Sequence, residues 1–415
     1  MIRQEVHGER EGVLGDGRGV LVSVVPLNDV GRRNEARILF IATVDSHIWY
    51  FHLPQMQLLR DMGYEVEVAA GPSGFAARIE ATGFHVIPLG FSKNPLDPHL
   101  LTITTQLIRL MRERRYVLVH VHTPIAGFVG RYAAHRAGIP HVMYTAHGFH
   151  FHPLGNPVTN AAYWLAEKIG SMWTTALVTI NDHDERAARR WFARAGLTIY
   201  RVSGVGVDTG LFTPPAAEYR AEARSALGVD PGAVVIGWVG ELDKGKRPLD
   251  ALRVLAMVRT RVPEATLLLA GEGPLAGLVI RRAASSGMKT AARVVGWQAD
   301  MPFFLAACDM LLLTSGREGL PKSIMEAMAM GMPVVAWKIR GCSDLILDGV
   351  TGYVVPFGDV RGMAERLESL GKSAEDRYRL GAAGRDRVLA EFGLERVLQQ
   401  VRAIYEAVLA ERSTR

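Results

Sequence analysis

The residues with the clearest chemical capacity lie in GREGLPKSIMEAMAMG, Gly316–Gly331, where two carboxylates, Glu318 and Glu326, stand with seven residues between them. The apolar run Met310–Leu313 reads as a buried strand ending at Thr314, and Glu318 falls in the loop that follows. Pro321 is expected in the first helical turn, where its missing N–H costs nothing. Ile324, Met325, Met328 and Ala329 recur at helical spacing and form the packed face. Glu326 then lies about one and a half turns into a helix whose positive end points back at the loop. Free N–H groups at a helix start favour a phosphate or another anion. Two acidic side chains in the same place suit a hydroxyl-rich ligand such as ribose or a hexose, and a nucleotide-sugar combines all these parts. Taken alone, the same residues equally describe a surface loop whose glutamates cap a helix.

Other stretches carry complementary chemistry. Gly240–Arg247 leaves one strand and enters a helix through Pro248, and its Lys244, Lys246 and Arg247 beside a glycine turn are suited to a pyrophosphate. The loop lacks the GxxxxGK[ST] pattern, which argues against an NTPase. Gly271 and Gly273 follow the strand TLLLAG and permit close backbone approach. In the N-terminal half, His147 ends a strand, with Gly148 allowing a turn, and is expected to face a cleft and donate to a phosphate or sugar hydroxyl. His141, His147, His150 and His152 invite a metal reading, but alternation along an extended chain scatters them and no cysteine or HExxH spacing accompanies them, so no metal is expected. His122 and Thr123 end another strand facing the cleft, with His120 expected on the opposite face, in the core. Asp45, Ser46 and His47 occupy the first strand-to-helix loop. The GxGxxG of a dinucleotide site is absent there, so these three are candidates for handling an acceptor.

The elements that position these residues are strands alternating with amphipathic helices. Strands are expected at 37–43, 65–70, 85–88, 117–121, 141–145 and 177–180, with helices at roughly 48–62, 75–82, 98–114, 125–137, 158–174 and 183–195. SGVGVDTGLFTPP, with its glycines and two prolines, suits a hinge. A second alternation restarts at 234–239 and continues through 266–270, 293–295, 310–314 and 333–336 to a short pair near 352–355, with closing helices at 359–370, 374–391 and 393–411. Continuous apolar strands between helices mean parallel sheets covered on both faces. The expected organisation is α/β: a loosely attached or disordered extension over 1–36, a Rossmann-like acceptor domain over 37–205, a Rossmann-like nucleotide-sugar domain over 206–392, and a terminal helix over 393–415 packing back on the first domain. Two such sheets joined by a hinge place a cleft between their strand ends.

Composition narrows the classes. At 415 residues, 48% hydrophobic and 22% charged, the chain is an ordinary globular protein of two or three domains. No apolar run approaches the roughly 20 residues of a membrane span. The two cysteines, Cys308 and Cys342, form no CxxC pair and point to a reducing, cytoplasmic compartment. A net charge of +6 comes without a basic stripe interleaved with aromatics, so nucleic acid is not an expected partner. The helix bearing Leu107, Ile108, Leu110 and Met111 ends in Arg112, Arg114 and Arg115, and Trp49, Tyr50 and Phe51 lie in the first helix. Basic and aromatic residues together suit peripheral contact with an anionic inner-membrane surface.

With these motifs assembled, the chain resembles the family-4 glycosyltransferases, retaining enzymes of the GT-B fold. The resemblance runs over about residues 37–410, most specifically EGLPKSIMEAMAMGMPVVA, with VGELDKGKR, AGEGP, GVGVDTGLF and LILDGVTGYVVP in order. HVHTPIAGFVGR and YTAHGFHFHP are similar to a subgroup building bacterial capsule and exopolysaccharide units, commonly from a UDP-sugar onto a polyprenyl-diphosphate-linked saccharide. The resemblance implies that Glu326 binds the ribose hydroxyls and Glu318 the donor sugar. Gly319 and Leu320 would lie along the sugar and diphosphate, Lys246 on the diphosphate, and His147 near the reacting sugar. It also implies no cofactor and no metal, with protein cations in the metal's place. Glu241 departs from the family, where arginine is common; Lys244 or Arg247 is then the expected substitute charge. Asp344 stands where glutamate is more usual. Two rival readings are a UDP-N-acetylglucosamine 2-epimerase-like enzyme and a sugar-nucleotide-binding protein without catalysis.

Overall fold

Apolar runs become the strands of two parallel sheets. The structure, a computed structural model, describes residues 36–410 except 93 and 154; residues 1–35 of the expected extension lie outside the described residues. The first sheet comprises β1 (Arg37–Val44), β2 (Glu65–Gly71), β3 (His85–Pro88), β4 (Leu118–His122), β5 (His141–Ala146), β6 (Ala176–Thr179) and β7 (Thr198–Arg201). Its order is β3-β2-β1-β4-β5-β6-β7. The second comprises β8 (Val234–Val239), β9 (Ala265–Ala270), β10 (Ala292–Gly296), β11 (Met310–Leu313), β12 (Val334–Trp337) and β13 (Gly352–Val355), ordered β10-β9-β8-β11-β12-β13. All pairings are parallel. Helices cover both faces, which is why Ile38–Ala42, Leu267–Leu269 and Met310–Leu312 are sealed from solvent.

In each sheet the strand order reverses beside its first strand. The loops after β1 and β4, and those after β8 and β11, therefore diverge and leave a crevice at the carboxyl edge, where ligands of such sheets bind. These edges carry Thr123, Lys246 and Glu318 in their loops, and His47 in the helix Asp45–Phe51 that starts directly after β1.

Local departures from expectation have identifiable causes. β7 was not anticipated, because Thr198–Arg201 is a partly exposed edge strand without a continuous apolar run. Gly352–Val355, expected as part of a short pair, is a single edge strand parallel to β12. The helix expected over 48–62 is two, Asp45–Phe51 and Leu53–Asp61, broken at His52. Pro54 has no N–H to return to the preceding turn, and the freed carbonyl of Tyr50 accepts instead from Lys322 Nζ of the other domain, at 3.4 Å.

The terminal helix Leu394–Ala410 lays Val397, Val401, Ile404, Tyr405 and Val408 inward. The Tyr405 hydroxyl meets His120 Nδ1 at 2.8 Å, and Gln400 Oε1 accepts from the Ser203 N–H at 3.0 Å. The chain end therefore rests on the first sheet, spanning the two halves. Cys308 and Cys342 are both buried and unpaired. No described helix is long and apolar enough to cross a membrane.

Candidate active site

The two carboxyl edges enclose a cleft cavity of about 500 Å3. From the second domain it is lined by Gly240, Lys246, Glu318, Gly319, Leu320, Lys322 and Glu326; from the first, by His47, Tyr50, Phe51 and His147. Trp297 and Gln298, after β10, close one side.

The helix Lys322–Ala329 begins one residue later than expected. Pro321 is its N-cap, in an extended conformation, rather than a first-turn residue. Ile324, Met325 and Met328 are sealed in the core and aim the opposite side of the helix at the cleft. Glu326, 7% exposed, projects there with Lys322 Nζ 3.5 Å away. Burial raises the Glu326 carboxyl from its ordinary 4.5 to about 7, and the nearby Lys322 ammonium only partly offsets that. Glu318 is clasped by Lys246 Nζ at 2.6 Å. Lys246 is itself fixed by its N–H donating to Asp243 Oδ1 at 2.8 Å. The cleft thus holds two lysine–glutamate pairs, a charge distribution able to exchange internal ion pairs for a phosphate and a set of hydroxyls.

Gly271 supports this floor from behind. Its φ of 140° and lack of a Cβ let the loop after β9 pack on the carbonyl of Gly240. Gly319 lies tightly against the first domain, where a Cβ would overlap the carbonyl oxygen of His147. Asn181 Nδ2 donates to Gly319 O at 3.0 Å, and the Asp182 N–H donates to Asp344 Oδ1 at 2.8 Å. Arg340 completes the clasp. Its guanidinium is buried, pairs with Asp184 at 2.8 Å, and donates to the carbonyls of Glu318, Phe149 and Phe151.

Several expected residues do other work. Asp45 is fully buried and its carboxylate accepts the backbone N–H groups of Ser73, Phe75 and Ala76 at 2.9, 3.1 and 3.0 Å. With both oxygens occupied it holds the start of the helix Ala76–Ala81 and has no capacity for an acceptor. Ser46 donates its N–H to Ser73 Oγ, outside the cavity wall. Thr123 ties β4 to β1 through Thr43 Oγ1 at 2.7 Å and holds a φ of 64°, a strained conformation for a β-branched residue. Lys244 is exposed and Arg247 is drawn aside, paired with Asp250 at 2.6 Å and stacked over Trp337 and Phe357. Neither lines the cavity, so the second cation of the cleft is Lys322, which sequence reasoning passed over although it lies inside the most specific motif. Glu241 is exposed and outside the wall.

His120 and His122, two apart on β4, share one face of the strand, and their rings lie 4.1 Å apart. His120 is core, as expected, but not by pointing away from His122. His122 is fully buried behind the cavity, its Nδ1 3.4 Å from His147 Nε2. The expected membrane face is also revised. Leu107 and Met111 are sealed against the sheet, Arg114 pairs with Glu67, Trp49 packs on Phe75, and Tyr50 and Phe51 serve the cleft. Exposed apolar side chains on the helices His99–Arg114 and Pro157–Ser171 include Leu101, Val158 and Leu165.

Comparison with known proteins agrees with this geometry. Residues 220–387 match the family model of group 1 glycosyl transferases, and residues 53–201 match that of a glycosyl transferase 4-like domain. The chain is 32% identical over 376 residues to a Bacillus subtilis (strain 168) protein named as the candidate glycosyltransferase EpsD, covering 90% of this chain and 97% of that one. It is 26% identical over 264 residues to an Escherichia coli UDP-Gal:α-D-GlcNAc-diphosphoundecaprenol α-1,3-galactosyltransferase, covering 63% and 68% of the two chains. Among solved structures, Anabaena HepE in complex with UDP and glucose superposes with a TM-score of 0.77 at 20% identity, over 90% of this chain and all of that one. At that identity the likeness speaks for the two-domain fold. The paired parallel sheets, the cleft chemistry at their switch points and the near full-length relative lead to one assignment: the chain belongs to the family-4 glycosyltransferases of the GT-B fold.

Proposed function

We propose that the protein moves a hexose or N-acetylhexosamine from a UDP-sugar to a saccharide or polyprenyl-diphosphate-linked acceptor, with retention at the anomeric carbon, in cell-surface polysaccharide synthesis. The observation that carries this reading is the pair of lysine–glutamate contacts opposite His147 within one cavity. An incoming diphosphate competes for Lys246 and Lys322. Glu318 and Glu326 are thereby released to accept from sugar and ribose hydroxyls. Trp297, 48% exposed at the rim, offers a stacking face for the base.

Retention is accounted for without a glycosyl-enzyme intermediate when the acceptor hydroxyl attacks from the face the diphosphate leaves, with Glu318 held by Lys246 at the wall. The C1–O bond to the diphosphate breaks, the new glycosidic bond forms, and the hydroxyl proton passes to a leaving phosphate oxygen. Lys246, Lys322 and the helix N-terminus stabilise the leaving charge, a role that calls for no bound metal. His147 orients the reacting sugar from the opposite wall.

A lipid-linked acceptor is supported by a second cavity, of about 610 Å3, walled by Leu100, Ile125, Phe128, Tyr132 and Ala166 on the helices His99–Arg114, Pro124–Ala137 and Pro157–Ser171. Arg131 and Glu167 at its floor pair with one another at 2.9 Å. Pro124 and Ile125 of its wall follow directly on the carboxyl end of β4, the edge of the sheet that also faces the cleft; we propose that a ligand with its head in the cleft lays its isoprenoid chain here. Bringing the exposed rim to a bilayer would make the contact peripheral, on the cytoplasmic side where UDP-sugars are held.

Transfer from a panel of UDP-, GDP- and ADP-sugars to a lipid-linked acceptor tests the reading. Lys246→Ala and Glu326→Ala should each lower turnover about 100-fold or more, the scale of losing a preorganised electrostatic contact. Near-normal transfer by either variant refutes the site. An epimerised sugar accumulating without transfer points to the 2-epimerase alternative.

A further inference from the structure

We infer that His47, His52 and His147 form a binding site for one transition-metal cation of the zinc class, and that filling it shuts off transfer. The three imidazoles come from separate elements: the helix Asp45–Phe51, the break that follows it, and the loop after β5. Their ring centroids stand at nearly equal separations, 5.1 Å for His47–His52, 4.9 Å for His47–His147 and 5.0 Å for His52–His147. In a tetrahedral site with metal–nitrogen bonds of about 2.0–2.1 Å, each centroid lies about 3.2 Å from the ion and pairs of centroids about 5.2 Å apart. The rings are therefore already spaced for one ion. Their candidate ligand atoms lie within 4.8 Å of one another, wider than the roughly 3.4 Å between nitrogens of a closed tetrahedral set, so binding requires the rings to turn inward.

The hydrogen bonding leaves this donor set with lone pairs to spare. Nε2 of His47 and Nε2 of His52 are buried without a partner, a costly condition for polar atoms. On the far side of His52, Gln55 Oε1 lies 3.4 Å from Nδ1. A proton held on Nδ1 by that carbonyl leaves the lone pair on Nε2, the way an outer partner fixes a metal-binding histidine. Among the described residues His147 Nε2 meets only His122 Nδ1, also at 3.4 Å. Among the described residues no carboxylate or thiol joins the set, and His47 and His147 line the cleft. The fourth position thus opens on the cavity, for water or an oxyanion.

This site is apart from the proposed diphosphate cations Lys246 and Lys322, so the ion would not assist the leaving group. It would instead engage His147 and block the acceptor side. The inference goes beyond the proposed donor and acceptor, and its spectroscopic test stands without them.

Metal-stripped protein is titrated with Co2+ while visible absorption is recorded. One equivalent should produce the intense ligand-field bands of four- or five-coordinate cobalt, removed by Zn2+ in competition. His52→Asn, outside the cavity wall, should weaken binding at least about 100-fold while metal-free transfer stays within threefold. Transfer by the wild type should fall with stoichiometric Zn2+ and return with chelator. If His52→Asn fails to fold, His47→Asn serves for the spectroscopic arm. Absence of saturable cobalt bands, or bands unchanged in both variants, overturns the inference and leaves the histidines as packed core imidazoles. Saturable binding with undiminished transfer overturns the inhibitory half.

Discussion

Replacing Glu326 by glutamine should make the ligand-free protein more stable and the enzyme far worse. In the folded state burial raises the carboxyl from 4.5 to about 7, so the folded protein holds a proton that the unfolded chain releases across that interval. Stability therefore falls as pH rises from about 4.5 to about 7, and the loss is complete above it. Each pH unit in the interval is worth about 1.4 kcal/mol, so ionising Glu326 withdraws up to about 3 kcal/mol. Glutamine has the same shape and never ionises, but it too must be desolvated, which leaves an expected gain of about 1–3 kcal/mol at pH 8. For a domain of this size that is a rise of about 2–10 °C in the midpoint of unfolding. Thermal unfolding of wild type and Glu326→Gln without donor, at pH 5, 6, 7 and 8, should show curves that nearly coincide at pH 5 and separate as pH rises. Turnover should meanwhile fall about 100-fold, because a neutral amide replaces the acceptor of ribose hydroxyls. A variant less stable than wild type at pH 8, or a difference independent of pH, refutes the reasoning about Glu326.

Three further outcomes follow from the geometry. Gly319→Ala places a methyl group against the His147 carbonyl; it should open the cleft, seen as a larger radius of gyration in solution scattering, and cut kcat at least tenfold. Arg340→Leu leaves Asp184 buried with Asn181 Nδ2, the Phe149 N–H and the more distant His183 ring as its remaining partners; losing a buried ion-pair partner should cost about 3–5 kcal/mol in denaturant unfolding and reduce kcat by weakening closure. Ala166→Trp fills the apolar groove; KM for a long-chain polyprenyl acceptor should rise about tenfold while a short-chain analogue is handled as before, and equal effects on both would remove the groove from acceptor binding.

The fold was legible because parallel strands buried on both faces leave continuous apolar runs, as in Ile38–Ala42 and Met310–Leu313. β7 was not, since an edge strand half open to solvent has no such signature. Within the site, Lys246, Glu318 and Glu326 could be read from short-range pattern, because strand-end loops and one helix position them. Arg340, Asp184 and Asn181 could not, since they act only once two distant loops close on each other. Asp45 misled for a physical reason: a carboxylate in a switch-point loop has the same local sequence whether it meets a substrate or caps the next helix, and only the positions of Ser73 to Ala76 decide. The histidine cluster was missed because His52 gains its place from a helix break, and because His47 and His147 meet across separate loops.

The central claim is that the loops after β8 and β11, with the helix Lys322–Ala329, form a nucleoside-diphosphate site. Calorimetric binding of UDP and UMP to wild type and to Lys246→Met tests it most directly. Wild type should bind UDP at least tenfold more tightly than UMP, and Lys246→Met should lose most of that preference while still binding UMP. No binding of UDP by the wild type, or a preference untouched by the substitution, would contradict the account.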